Sequence, residues 1–297
     1  MNKRFCLEVK MIALNLVMKE RLMKVNNKII SVWGNPSSGK TTFSLKLANE
    51  LAKKKKNVIL ILAGAKTPTF STVLPLVDAK DKSLGALLSS VEITQESILK
   101  NCILVDENKH LSVISYLHGE NETTYAEYSK DKVVDLLILL KHLADYIIID
   151  CSSLVAYDVL TNVALEFSDK VIRLISADLK AVSYYYSTLP RISSRKYNLE
   201  NHIKVMSNVK SISPKDVVAN RFGGVSLELP YTREIEEQYY EGYLLNSLVE
   251  KKSKNYNKTL NEIVNNITGE DDVEVKNLFK GFFQKISVKS KLARGVK

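Results

Sequence analysis

The chain has 297 residues, 45% hydrophobic and 26% charged, the balance of ordinary globular material with room for one large or two small domains. No apolar run reaches membrane-spanning length, and three distant cysteines (Cys6, Cys102, Cys151) with four scattered histidines exclude a disulfide scaffold and a His/Cys metal site, and suit reduced thiols in the cytoplasm. The net charge of +10 sits at the ends: residues 276–297 hold seven basic residues and no acid, residues 1–22 five basic residues and two acids, and the neutral stretch between them counts against a generic nucleic-acid binder.

Residues 1–22 alternate basic and apolar residues and read as an added N-terminal extension. A strand and a Gly-rich loop follow so soon that Met23 is the expected native start, with Lys19-Glu20-Arg21 encoded by a ribosome-binding sequence. Ile29–Val32 is a short apolar strand. It runs into Gly34-Asn35-Pro36-Ser37-Ser38-Gly39-Lys40-Thr41-Thr42, which is G-x-x-x-x-G-K-T, and a helical pattern over Thr41–Lys55 follows. Strand, loop and helix in that order are the context a P-loop needs. Gly34 and Gly39 allow backbone angles that turn successive N–H groups toward phosphate, and the helix start adds its positive dipole end. Lys40 is expected on the β and γ phosphates of ATP, and the Thr41 hydroxyl on Mg²⁺. The Lys53–Lys56 run suits the helix's C-terminal dipole end and reads as solvated.

Val58–Leu62 is a second buried strand. Thr67–Lys82 reads as a loop and Leu84–Ser89 as a short helix. Cys102–Val105 and Leu111–Tyr116 are strands, and Lys130–Leu143 is an amphipathic helix. Tyr146–Asp150 is a buried strand ending in an acid, the candidate for holding Mg²⁺ directly or through water. Leu154–Phe167 is a helix, Lys170–Ile175 a strand, Leu179–Leu189 a helix, His202–Ser207 a strand, Val225–Leu229 the last strand, and Glu234–Gly242 a helix. Residues 246–272 are polar, with one helix at Leu260–Ile267. Alternating strands and helices predict an α/β fold around a mainly parallel, doubly wound sheet, with a C-terminal helical extension.

The P-loop, Asp145-Tyr-Ile-Ile-Ile-Asp150-Cys-Ser-Ser, His202-Ile-Lys-Val-Met-Ser-Asn208 and Val225-Ser-Leu-Glu-Leu-Pro230-Tyr231 occur in a telling order, with Ser83–Leu88 and Ser168-Asp169-Lys-Val-Ile between them. As a set they resemble the ParA/MinD group of P-loop ATPases, most closely its CpaE/TadZ-type branch. The resemblance implies a MinD-like P-loop NTPase fold of the SIMIBI class over residues 23–248, a polar helical linker at 249–275 and a basic tail at 276–297. It also implies that Asn208 contacts adenine, that Pro230 and Tyr231 line the base pocket, and that an ATP-bound homodimer acts as a positional switch on a protein client. Relatives of the CpaE/TadZ type place pilus or secretion machinery, which makes such an apparatus, or a conjugation apparatus, the expected setting.

Two departures bear on activity. The family's signature lysine after the first P-loop glycine is Asn35 here. The acid that should end the second strand is missing, since Leu62 and Gly64 stand there. Losing a cross-dimer cation and a water-positioning acid weakens hydrolysis far more than binding, so ATP is expected to bind with Mg²⁺ and turn over slowly or hardly at all.

In residues 276–291, Leu278, Phe279, Phe282, Phe283 and Ile286 fall on one helical face and lysines on the other. That composition suits a helix lying in the inner surface of the cell membrane. The expectation is a cytoplasmic protein that attaches peripherally. A ParA-like partition ATPase binding DNA non-specifically in its ATP form is the alternative.

Overall fold

Runs of aliphatic and β-branched residues make the central strands. β1 (Lys28–Gly34), β2 (Val58–Leu62), β5 (Tyr146–Asp150) and β6 (Lys170–Ser176) are buried along nearly their whole length, as strands covered on both faces must be. The computed structural model of the protein describes residues 28–269. The two-residue β3 (Ile103–Leu104), β4 (Leu111–Ser115), β7 (His202–Val209) and β8 (Leu227–Pro230) complete one sheet in the order β3-β4-β2-β5-β1-β6-β7-β8. Every pairing is parallel except that of β3 with β4.

Successive side chains of β1 point to opposite faces and join different cores. Ile29 and Trp33 pack with α3 (Leu84–Ser89), α4 (Gln95–Asn101), α5 (Lys130–Lys141) and α6 (Val159–Phe167). Ile30 and Val32 pack with α1 (Lys40–Lys53), α2 (Phe70–Val73) and α10 (Lys254–Thr268). A smaller cluster under β6 and β7 holds α7 (Leu179–Ile192) and α8 (Lys215–Arg221). The helix α9 (Arg233–Glu241) follows β8 and leads toward α10. The α/β, doubly wound, mainly parallel architecture is therefore the one the alternating pattern predicts.

Local differences have local causes. The helix expected from Leu154 starts only at Val159, because the Asp158 carboxylate accepts from Leu160 N at 3.2 Å and sets the N-cap. α4 and α8 were not expected. Each buries a single residue, Ile98 or Val218, so neither has an apolar stripe to read. α10 contains the helix expected at Leu260–Ile267 in the polar helical linker and starts earlier, at Lys254. Its buried face of Tyr256, Leu260, Ile263, Val264 and Ile267 joins the core beside α1, and Lys28 Nζ donates to the Ile267 carbonyl at 2.5 Å. The tail 276–297, the extension 1–22 and Cys6 lie outside the described residues. Cys102 and Cys151 are buried free thiols, and burial pushes the Cys102 thiol up to about 11. Among the described residues, no helix is long and apolar enough to cross a membrane.

Candidate functional site

β1 is paired on one side with β5 and on the other with β6, so it delivers the loop Asn35–Gly39 to the carboxyl edge of the sheet's centre. Gly34 is required there because a Cβ would lie 1.9 Å from the Leu174 carbonyl oxygen. Gly39 has φ +79°, and Ser37 also takes a left-handed conformation at φ 60°. Ser207 Oγ donates to the Ser38 carbonyl at 2.7 Å and ties the loop to β7, while Pro36 is exposed at the turn. No side chain caps the start of α1, so its first-turn N–H groups are left for an anion.

The two ends of the expected metal site meet. Thr41 Oγ1 donates to Asp150 Oδ2 at 2.6 Å, and Ser44 Oγ donates to Oδ1 at 3.4 Å. Burial pushes the Asp150 carboxyl up to about 6, with Thr41, Lys40 and Ser44 pulling the other way. Lys40 Nζ donates to the Asn35 carbonyl at 3.0 Å and to Ser153 Oγ at 2.7 Å. Burial lowers the Lys40 ammonium, and the Asp150 charge opposes that shift. Among the described residues no three His, Cys, Asp or Glu side chains gather as a metal cluster. Any cation here would have to draw its remaining ligands from a bound molecule or water.

On the other side of the loop lies a cleft of about 290 Å³. Ser37, Ser38, Gly39 and Thr42 form one wall, and Asn208, Pro230 and Tyr231 the other. The structure thus brings together three segments that the sequence places far apart. Asn208 sits at the end of β7 with φ 54°, exposed to the cleft. Lys210 Nζ stands 4.6 Å from the Tyr231 ring centroid. Tyr239 and Tyr240 of α9 also line the cleft, and sequence reasoning gave them no role.

Asn35, where the resemblance expected a lysine, turns inward. Its Nδ2 donates to Ser176 Oγ at 2.8 Å, and its Oδ1 accepts from Ser176 N at 3.0 Å. Ser176 was not a candidate, nor was Ser153. Ser176 ends β6 and Ser153 lies three residues past the end of β5, so strand register brings both to the loop. At the end of β2, Leu62 is buried, and Lys66 beyond it pairs with Glu122 at 3.5 Å. Neither supplies a carboxylate of its own to the loop.

A family model described as an AAA domain matches residues 17–205. In structure the chain is similar to the septum site-determining protein MinD complexed with Mg-ADP from Pyrococcus horikoshii OT3, at 17% identity and TM-score 0.62 over 80% of this chain and 96% of that one. A ParA family ATPase from Chlorobium tepidum TLS aligns at 15% identity and TM-score 0.66, over 80% and 97%. A plasmid partition protein from Borrelia burgdorferi aligns at 22% identity and TM-score 0.51, over 73% and 96%. No curated protein matches the sequence. The chain belongs to the AAA-domain family and has the fold of the MinD and ParA proteins.

Proposed function

We propose that the protein binds ATP with Mg²⁺ and works as a ParA/MinD-like dimeric switch that positions or assembles a membrane-associated machine. The observation that carries this reading is the contact of Thr41 with Asp150 beside the half-buried Lys40, at the uncapped start of α1. The N–H groups of the loop and Lys40 are suited to the phosphates, Thr41 and Asp150 to Mg²⁺, and the Asn208, Pro230 and Tyr231 wall to the base. MinD of Pyrococcus horikoshii, solved with Mg-ADP, supports nucleotide and metal use. Bound Mg²⁺ would neutralise phosphate charge, and this chain's own residues would orient the nucleotide and exclude water.

Slow hydrolysis follows from what the loop lacks. Asn35 is held by Ser176 rather than reaching outward, and no acid ends β2 to orient water. The tail completes the switch. Each apolar side chain fully buried in a lipid surface contributes roughly 1.5–3 kcal/mol, and each lysine near an anionic leaflet about 1 kcal/mol. Folding of the helix offsets much of that, so one tail binds weakly. Two tails on a dimer gain on the order of 10²-fold by avidity. A CpaE/TadZ-type role at a pilus, secretion or conjugation apparatus is the finer form of this reading.

The test combines calorimetry, light scattering and vesicle sedimentation. Mg-ATP should bind, double the scattering mass and release phosphate slowly. Full-length chain with Mg-ATP should pellet with anionic vesicles, whereas chain ending at Glu274, or chain with ADP, should not. Absence of nucleotide binding overturns the whole reading, and rapid turnover overturns slow hydrolysis. The second reading, DNA partition, is favoured by the likeness to the Borrelia burgdorferi plasmid partition protein. Salt-sensitive retention of any duplex by the ATP form, without vesicle pelleting, would establish it instead.

A further inference from the structure

The last described helix reaches the cleft with its first turn. Tyr256 is the third residue of α10. Its side chain is 6% exposed and belongs to the same core as Leu260 and Ile263, yet it also borders the cleft that Asn208, Pro230 and Tyr231 wall. Among the described residues its hydroxyl has no hydrogen-bond partner. Burial alone raises its pKa, with no hydrogen bond and no charge acting on it. The sealed side-chain atoms without a partner are, among the described residues, Trp33 Nε1, Ser38 Oγ and His202 Nδ1, and the Tyr256 oxygen is not one of them. It therefore touches solvent, and the cleft is the open space this side chain borders.

The other tyrosines of the cleft are differently placed. Tyr231 donates its hydroxyl to Glu236 Oε2 at 2.5 Å and carries Lys210 over its ring. Tyr239 and Tyr240 are 40% and 77% exposed and pack edge-on against each other. Tyr256 thus brings the cleft a nearly buried hydroxyl that is still uncommitted. A phenol both donates and accepts. The loop's N–H groups and Lys40 are suited to phosphate, whereas the edge of a purine offers ring nitrogens and an exocyclic group to a single hydroxyl. We propose that Tyr256 is a specificity-determining residue of the cleft, whose hydroxyl hydrogen-bonds the edge of the nucleotide base. This rests on the nucleotide reading above. A base whose edge cannot pair with the phenol leaves it unsatisfied again, and that penalty is what discriminates.

The backbone that presents this hydroxyl is held in place. Ser253, the residue before α10, donates its hydroxyl to Glu234 Oε2. That proton being committed, Thr232 Oγ1 is the donor in its 2.6 Å contact with Ser253 Oγ. Val249 N donates to Glu234 Oε1 at 2.6 Å. The start of α10 is thereby stitched to the start of α9 and to Thr232, which itself lines the cleft. A hydroxyl on a fixed backbone needs little ordering when a ligand arrives. A base bonded to Tyr256 would also restrain the first turn of α10.

Tyr256→Phe keeps the packed ring and removes only the hydroxyl. The full chain and this variant are titrated by calorimetry with Mg-ATP, Mg-2′-deoxy-ATP and Mg-tripolyphosphate, and their thermal midpoints are read without ligand. The variant should melt at or above the parent's midpoint, because no protein hydrogen bond is lost. It should bind ATP and 2′-deoxy-ATP about fivefold more weakly and tripolyphosphate equally well. Amide exchange of residues 254–258 should slow with Mg-ATP in the parent and less so in the variant. Equal ATP affinity in the two chains overturns the proposal and leaves the nucleotide reading standing. A loss shared by tripolyphosphate, a loss confined to ATP and not 2′-deoxy-ATP, or a lowered midpoint also overturns the contact with the base. A parent that binds neither nucleotide overturns the nucleotide reading and this proposal with it.

Discussion

Replacing Asp150 by asparagine separates what this side chain costs the fold from what it does for a metal. The carboxyl is buried, and its pKa is pushed from 3.8 to about 6. An acid with a raised pKa in the folded chain holds its proton more tightly there than in the unfolded chain. Its favourable contribution is full below about pH 4 and is lost as pH rises through about 6. At ~1.36 kcal/mol per pKa unit, the shift corresponds to about 3 kcal/mol of stability lost above pH 7. An asparagine keeps an acceptor for Thr41 and can donate to Ser44, but it leaves Lys40 without an opposing charge. The expected net effect of Asp150→Asn without nucleotide is a gain of about 2 kcal/mol at pH 8, shrinking toward zero near pH 5. Urea unfolding followed by Trp33 emission between pH 5 and 8 measures it. Mg-ATP should then protect the unaltered chain and not the variant. A variant less stable than the parent at pH 8 without nucleotide would refute the burial argument.

Gly34→Ala places a Cβ 1.9 Å from the Leu174 carbonyl and should destabilise the fold by about 3 kcal/mol, read as a lowered thermal midpoint. Asn35→Lys removes the acceptor of Ser176 N, so it should lose about 2 kcal/mol in urea melts and leave phosphate release unaccelerated. Ser153→Ala frees Lys40 from a competing hydrogen bond and should tighten Mg-ATP up to about tenfold by calorimetry, where weaker binding would show that Ser153 does not compete.

What the sequence made legible was whatever depends on near neighbours. β2 and β5 were readable to the residue because continuous apolar runs end at a turn or an acid. The loop was readable because its glycines and lysine have fixed spacing. Long-range register hid the rest. Asn35 and Ser176 are 141 residues apart, and only the alignment of β1 with β6 makes them partners. Ser153 follows an unremarkable Cys-Ser, yet it receives Lys40 across 113 residues. The short helices α4 and α8 carried too few apolar positions to announce themselves. α10 was legible as a helix, but its polar composition concealed how completely its one apolar stripe is used.

The bond between Lys28 and Ile267 fixes where the two ends of the described domain stand. Both lie at the foot of β1, and the seven residues of that strand separate them from Gly34 by about 20 Å. Both ends of the described residues therefore stand at the pole opposite the cleft. A surface that held this pole would leave the cleft open to solvent and to a second molecule.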